Sequence, residues 1–280
     1  MRVSSSTQRS TGADRMGRLA GKIAVVVGAG QQPGETIGNG RAIALTFARE
    51  GAEVLCVDRA SERAQAVVDE IALAGGTGFA LAADIVTDAE AIIAAALTRW
   101  GRIDIVVNNV GIGDAGDGPA QRCTDEAFER VFAVNFTGAR RVIRAALAPM
   151  RATESGVIVN VSSLASIAGA NMIAYEVSKA ALNRLTTATA QGSAAKGVRC
   201  NAVLPGLMDT PMGVGGTALR DGRGLDEQRA ARAAMVPLKG GMGSGWDTAN
   251  AVLFLASDEA RFITGALLAV DGGSSVRVGG

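Results

Sequence analysis

The chain's single tyrosine, Tyr175, stands four residues before Lys179 and shortly after the pair Ser162-Ser163, and there is no histidine anywhere. Without imidazole there is no Ser/His/Asp or Cys/His nucleophilic pair and no histidine metal ligand, so proton transfer near neutrality falls to a side chain with a shifted pKa. Tyr175 is the candidate. On a helix carrying Leu182 and Leu185, Tyr175 and Lys179 lie one turn apart on the same face, close enough for the ammonium to stabilise a phenolate. Bringing a phenol from about 10 to about 7 takes roughly 4 kcal/mol. One cation at ~4 Å in an effective dielectric near 20 supplies about that much. The same spacing also describes an aromatic core residue beside a solvated lysine, so the rest of the chain has to decide.

Composition narrows the partners. With 28 basic against 27 acidic residues and no long like-charged run, the chain has no electrostatic footprint for nucleic acid or an anionic membrane, and a small-molecule partner is expected. Cys56, Cys123 and Cys200 are far apart and outside any C-x-x-C, which indicates neither a disulfide framework nor a metal site and fits a reducing, cytoplasmic setting. No apolar run approaches the ~20 residues that span a bilayer. Residues 1–18 are rich in serine, threonine and arginine and read as a flexible tail. A transit peptide shares that composition, and Met16 is an alternative start.

Short apolar, β-branched runs alternate with helical patterns at Ile23 to Val27, Glu53 to Val57, Phe79 to Ala82, Ile103 to Val107, Val157 to Val161, Val198 to Val203 and Leu267 to Val270. Seven strands in βαβ order predict an α/β fold, a doubly wound parallel sheet with helices on both faces, in a single domain over residues 19–280. Ser61 is placed to cap the second helix, and Thr87 with Glu90 forms a capping-box pattern for the third. Residues 207–246 break the rhythm, with many glycines and a weak helix near Glu227 to Met235, and read as a substrate lid.

In such a sheet ligands bind beyond the carboxyl ends of the strands, so the residues just after strands are informative. The first strand is followed by a glycine-rich stretch containing Gly28, Gly30, Gly34, Gly38, Asn39 and Gly40, suited to a pyrophosphate at the start of a helix. Asp58 ends the second strand, where a carboxylate accepts both adenosine-ribose hydroxyls and opposes a 2′-phosphate. NAD is therefore favoured over NADP, with Arg59 as the residue able to offset that charge. Asp84 and Ile85 are placed to bracket adenine, and Asn108, Asn109, Val110 and Gly111 to line the cleft. Asn135 falls inside the apolar stripe of Phe128, Val131, Phe132, Ala139 and Val142, and is either a structural tie or part of a proton relay to Lys179.

With these residues placed, the chain resembles the short-chain dehydrogenase/reductase family in its compact, Rossmann-like form, from about Leu19 to Gly273. The resemblance rests on Gly28, Gly38, Gly40, Asp58, Asp84, Asn108 to Gly111, Asn135, Ser163, Tyr175, Lys179, Pro205-Gly206 and Thr210. It implies that Tyr175 exchanges the substrate proton and that Ser163 holds the carbonyl oxygen. Lys179 binds the nicotinamide ribose and lowers the phenol pKa, and Asn135 anchors a water relay. Pro205, Gly206, Leu207 and Thr210 resemble the nicotinamide clamp, and a homotetramer is the implied assembly. Two departures stand out. The family's first two glycines enclose three residues, whereas Gly28 to Gly38 encloses nine, so Gly30 or Gly34 takes over a contact. The family interval from serine to tyrosine selects Ser162, but strand phase counted from Gly156 selects Ser163.

The expected activity is NAD-dependent interconversion of a secondary alcohol and a ketone with Tyr175 as acid/base. A hydrophobic substrate is expected, held by the lid and by Leu164, Met172, Met208 and Met212. A non-catalytic dinucleotide-binding regulator is the alternative. Hydrolysis is disfavoured by the missing histidine and the missing G-x-S-x-G.

Overall fold

A computed structural model describes residues 17–277. In chain order they form β1 (Ile23–Val27), α1 (Asn39–Arg49), β2 (Glu53–Asp58), α2 (Ser61–Leu73), β3 (Thr77–Ala82), α3 (Ala89–Trp100), β4 (Ile105–Asn108), α4 (Asp125–Phe132) and α5 (Ala139–Ala152). These are followed by β5 (Gly156–Val161), α6 (Ile173–Ser193), β6 (Val198–Pro205), β7 (Met208–Asp209), α7 (Gly216–Asp221), α8 (Leu225–Ala233), β8 (Gly243–Ser244), α9 (Gly245–Ala256) and β9 (Leu267–Val270). Seven strands make one all-parallel sheet in the order β3-β2-β1-β4-β5-β6-β9. The winding reverses between β1 and β4, which opens the crevice at their carboxyl ends.

The apolar strands work because both faces of the sheet are covered. Along β1, Ala24 and Val26 join the core under α1 and α9 with Phe47, Val252 and Leu255, while Val25 and Val27 join the core under α3 and α5 with Ile92, Val142 and Met150. A period of two with an apolar residue at every position therefore feeds two separate cores. The edges differ: β3 and β9 are largely exposed.

Local signals were less faithful. Ser61 is the first residue of α2 rather than its cap, and the N-cap, Ala60, makes no side-chain bond. The Thr87/Glu90 capping box does not form. Helix α3 starts one residue later than that pattern requires, its N-cap is Asp88, and the Asp88 carboxylate accepts from the Asp84 N–H instead (2.8 Å). Residues 207–246 are more ordered in type than the sequence pattern indicates, holding a two-strand ladder (β7 with β8), a π-helical turn Pro211–Gly215, α7 and α8. The tail expected over residues 1–18, with the start at Met16, lies outside the described residues except for Gly17 and Arg18. Those two are held, since the Arg18 N–H donates to the Glu50 carboxylate (2.9 Å) and Leu19 is fully buried.

Candidate functional site

Of the four residues expected to act together, Ser163, Tyr175 and Lys179 are brought to the carboxyl end of β5, and Asn135 stands beside Lys179 at the segment after β4. The strand's phase separates the two serines. The Ser162 hydroxyl is buried and donates to the backbone carbonyl of Lys179 (3.1 Å), whereas the Ser163 hydroxyl accepts from the Ala165 N–H (3.1 Å) and faces the Tyr175 phenol, favouring its ionised form. Lys179 is 2% exposed; its ammonium donates to the Val161 carbonyl (3.0 Å) and lies 5.8 Å from the centroid of the Tyr175 ring. It also lies against Gly111, where an added Cβ would come within 3.1 Å of Nζ.

This geometry corrects the expected electrostatics. Burial pushes the Tyr175 phenol above its ordinary value of 10, and the Ser163 hydroxyl only partly offsets that. Lys179, whose charge was to lower the phenol, is itself lowered to about 8 by burial and is turned toward the strand end. Helical spacing puts the two residues on one face but does not set where the flexible lysine stem directs its charge.

The lysine shift has a measurable consequence. Between about pH 8 and 10.5 the unfolded chain keeps a proton that folded Lys179 has shed, so this residue adds stability as pH rises through that window. Cys56 and Cys200, pushed up to about 12 by burial, act with the opposite sign, because folding holds their protons as the unfolded thiols ionise. The difference between wild type and Lys179→Met in urea unfolding isolates the lysine. Wild type is expected to gain on the variant, on the order of 2 kcal/mol between about pH 8 and 10; a pH-independent difference would show that the ammonium is not desolvated.

Asn135 sits in a π-helical turn, Ala133–Gly138, that joins α4 to α5, a widening of the helix often found at functional sites. Its amide is a structural tie: the oxygen accepts from the Ile112 N–H (2.8 Å), and the nitrogen donates to the Ile112 carbonyl (3.0 Å) and to the Ser178 hydroxyl (3.1 Å). Asn108, expected to line the cleft, is turned sideways within the sheet. Its Nδ2 donates to Asn160 (2.9 Å), and Asn160 donates to Thr186 on α6 (2.8 Å), so the pair fastens the Tyr175 helix to β4 and β5.

At the first strand's end, Gly28 (φ +83°) and Gly40 press together: a Cβ on Gly40 would overlap the Gly28 carbonyl, which accepts from Asn109 Nδ2 (2.8 Å). Gly30 packs on Asp58, where a Cβ would lie 2.6 Å from the carboxyl carbon, and Asp58 Oδ1 accepts from the Ala60 N–H (3.0 Å). The enlarged loop is braced by Gln31, which accepts from the Gly38 N–H (2.7 Å) and donates to the Thr36 carbonyl (3.1 Å). Arg229 of α8 meets both Glu35 of this loop (3.2 Å) and Asp209 (3.4 Å). Beyond β2 and β3 a cleft of about 580 Å³ is lined by Arg59, Arg63, Asp84 and Asp88. Ile85 does not serve as its wall; it is 5% exposed and packs on Gly138 in the core.

Beyond β6, Gly206 packs against Asp271 and donates to the Val270 carbonyl (2.9 Å), while the Leu207 carbonyl accepts from Gly243 (3.2 Å). Thr210 is buried and caps the following turn by accepting from the Gly213 N–H (3.0 Å). Of the expected substrate residues, Leu164 and Met172 are half-buried near Ser163 and Tyr175 in the chain, and Met212 is exposed. Met208 is buried, with its sulfur against Gly243, and belongs to the packing under the lid.

A family model described as enoyl-(acyl carrier protein) reductase matches residues 35–275. Among curated relatives, 2-(R)-hydroxypropyl-CoM dehydrogenase of Xanthobacter autotrophicus is 37% identical, covering 90% of this chain and 97% of its own. The 3beta-hydroxysteroid dehydrogenase of Mediterraneibacter gnavus is 36% identical, covering 92% and 96%. A solved structure described as a short-chain dehydrogenase/reductase from Burkholderia xenovorans superposes with a TM-score of 0.85 at 40% identity, covering 94% of this chain and 100% of that one. The chain belongs to the short-chain dehydrogenase/reductase family. A 7 alpha-hydroxysteroid dehydrogenase solved with NADH and a 7-oxo bile acid is 33% identical with a TM-score of 0.80, covering 91% and 95%.

As a short-chain dehydrogenase/reductase, the chain is expected to hold a nicotinamide dinucleotide, and its residues fit one. The Gly28/Gly40 approach leaves no room for a side chain on either glycine, Gly38 offers α1 no side-chain cap, and the buried Asn39 Oδ1 at that helix start has no hydrogen-bond partner among the described residues. Three residues that shape the site carry weaker sequence signals. Asn160 was legible as a polar residue in an apolar strand. Asn109 is placed at the cleft by its position after the fourth strand, but its bond to the glycine loop carries no local signal. Asp117, in the loop after β4, had no signal at all.

Proposed function

We propose that the protein interconverts a secondary alcohol and a ketone with NAD(H), with Tyr175 as the acid/base. One observation carries this reading: the chain's only tyrosine faces Ser163 at the carboxyl end of β5, on the same helix as the buried Lys179, whose ammonium lies 5.8 Å from the tyrosine ring centroid. Bound nicotinamide supplies the acceptor or donor of the hydride at its C4. The residues manage the other half of the balance. In reduction the phenol gives its proton to the carbonyl oxygen held by Ser163, and in oxidation Tyr175 takes that proton back. Lys179 holds the nicotinamide ribose, and Asn135 anchors the Ile112 segment beside Gly111.

The substrate is a hydrophobic alcohol or ketone. Leu164, Met172, Ile167 (59% exposed) and Met212 (43% exposed) present apolar surface after β5 and in the lid. Relatives named for hydroxysteroid and cyclopentanol dehydrogenation support an alicyclic ring. A homotetramer in the cytoplasm is the assembly in keeping with the family; among the described residues no helix is long and apolar enough to cross a membrane. NADH oxidation against a panel of alicyclic ketones, with Tyr175→Phe as the control, tests the reading, and equal turnover in the variant refutes it.

Asp58 carries the cofactor preference. Its half-buried carboxylate stands where an adenosine ribose would lie, and a 2′-phosphate there meets a like charge at low effective dielectric. Fluorescence titration is expected to give NADH at least about tenfold tighter binding than NADPH, and Asp58→Ser is expected to close most of that gap. Tighter NADPH binding by wild type would reverse the assignment and point to Arg59 and Arg63.

A further inference from the structure

Tyr175 is the third residue of α6, in a first turn that frays unless its N–H groups are bonded. The residue at the N-cap, Met172, supplies no side-chain acceptor. The acceptors come instead from the loop after β4. Asp117 Oδ1 accepts from the Ala174 N–H (3.0 Å), Asp117 Oδ2 accepts from the N–H of Tyr175 itself (3.0 Å), and the next carbonyl, Gly118 O, accepts from Ile173 (2.9 Å). The Glu176 N–H then closes on the Met172 carbonyl (2.9 Å), so every N–H of the first turn has a partner. Asp117 is itself held by the Gly118 N–H (2.8 Å), and its own N–H donates to the Asp114 carbonyl (3.1 Å). The start of this loop is clamped at Ile112 by Asn135. The segment from Gly111 to Gly118 thus runs from the Lys179 ammonium to the Tyr175 amide.

We propose that Asp117 is the positioning residue for Tyr175: its carboxylate pins the first turn of α6 and so holds the phenol against Ser163. The proposal rests on the acid/base reading of Tyr175. Because the chain has one tyrosine, tyrosinate absorbance in the near ultraviolet reports that phenol alone, and it does so without turnover. Asp117→Ala and Asp117→Asn are compared with wild type and with Tyr175→Phe for ketone reduction, NADH affinity and the tyrosinate titration midpoint. In Asp117→Ala, kcat is expected to fall roughly 10- to 100-fold, the cost of a misplaced reacting group. NADH affinity should stay within about twofold of wild type, and the titration midpoint should drop toward that of an exposed phenol, about 10. Asp117→Asn keeps the shape and one acceptor oxygen and is expected to lie between the two; it also serves if the alanine variant does not fold. A cap that served stability alone would lower Tm and leave both kcat and the midpoint in place, and that result overturns the proposal. Loss of NADH affinity in step with kcat also overturns it. If Tyr175→Phe keeps its activity, the acid/base reading fails, while the midpoint of the Asp117 variants still decides whether Asp117 places the ring.

Discussion

Tyr175→Phe is expected to lower kcat for ketone reduction by roughly 10²- to 10⁴-fold, the range lost when a positioned general acid is removed. The substitution keeps the ring and deletes only Oη, so the packing of the first turn of α6 is retained and the loss in stability is small, about 1 kcal/mol or less. Tyr175 is also among the residues expected to contact the cofactor, and NADH affinity is expected to hold because the ring, Lys179 and the glycine loop are all left in place. The protonation state adds a directional signature. Burial keeps the phenol neutral at pH 7, which is the proton-donating form used in reduction. Oxidation needs the phenolate and is opposed until pH rises or the phenol is brought down. Wild-type reduction is therefore expected to fall, and oxidation to rise, as pH increases through the phenol's ionisation, so the oxidation optimum lies on the alkaline side. With no histidine in the chain, the competing ionisation beside the ring is that of Lys179, lowered to about 8, and Tyr175→Phe leaves it in place as the comparison. Initial rates in both directions across pH measure this, and coincident optima would remove Tyr175 from the proton-transfer step.

The strands were legible because burial on both faces leaves a continuous apolar run, and only β3 and β9, at the exposed edges, depart from that burial pattern. The positions of Ser163, Tyr175 and Lys179 followed from strand phase and helical spacing. Their electrostatics did not. The Lys179 ammonium is directed by the Val161 carbonyl, a partner 18 residues away that no local pattern contains. The misassigned caps have the same origin. Asp88 is used by the backbone of Asp84, and α6 takes its cap from Asp117, 58 residues before Tyr175. The place of Ile85 after β3 suggests a ligand wall, whereas Gly138, which lets α5 approach and bury it, lies far off in the chain. Periodicity reports burial along one element; a bond between elements leaves no periodic trace.

Gly40→Ala is expected to disrupt both the fold and the crevice with a single methyl group. The new Cβ would overlap the Gly28 carbonyl oxygen, reach 2.9 Å from the Gly28 carbonyl carbon and stand 2.5 Å from Asn109 Nδ2, the atom that bonds to that carbonyl. Two of these neighbours are backbone, and Gly28, at φ +83°, is itself held by an N–H donated to the Val57 carbonyl at the end of β2 (2.8 Å). Neither side has a rotamer to give, so α1 must back away from the end of β1 at the point where α1 packs on α9 and carries Ala42, Ile43 and Phe47 into the core. The expected loss is about 3 kcal/mol, or roughly 6–12 °C in Tm. Dinucleotide binding should suffer more than this: moving α1 withdraws its amino end, Asn39 Oδ1 and the glycine backbone from the crevice together, so NADH affinity should fall at least about a hundredfold. Gly38→Ala is the internal control, because a Cβ there meets nothing closer than Gln31 Oε1 at 3.5 Å and the backbone is extended. It is expected to keep the fold and to weaken NADH binding only if the pyrophosphate lies against that residue. Calorimetry and NADH fluorescence on the two variants measure both effects, and a Gly40→Ala protein with wild-type Tm and affinity would mean that α1 is free to shift and that the Gly28/Gly40 approach is not what shapes the crevice.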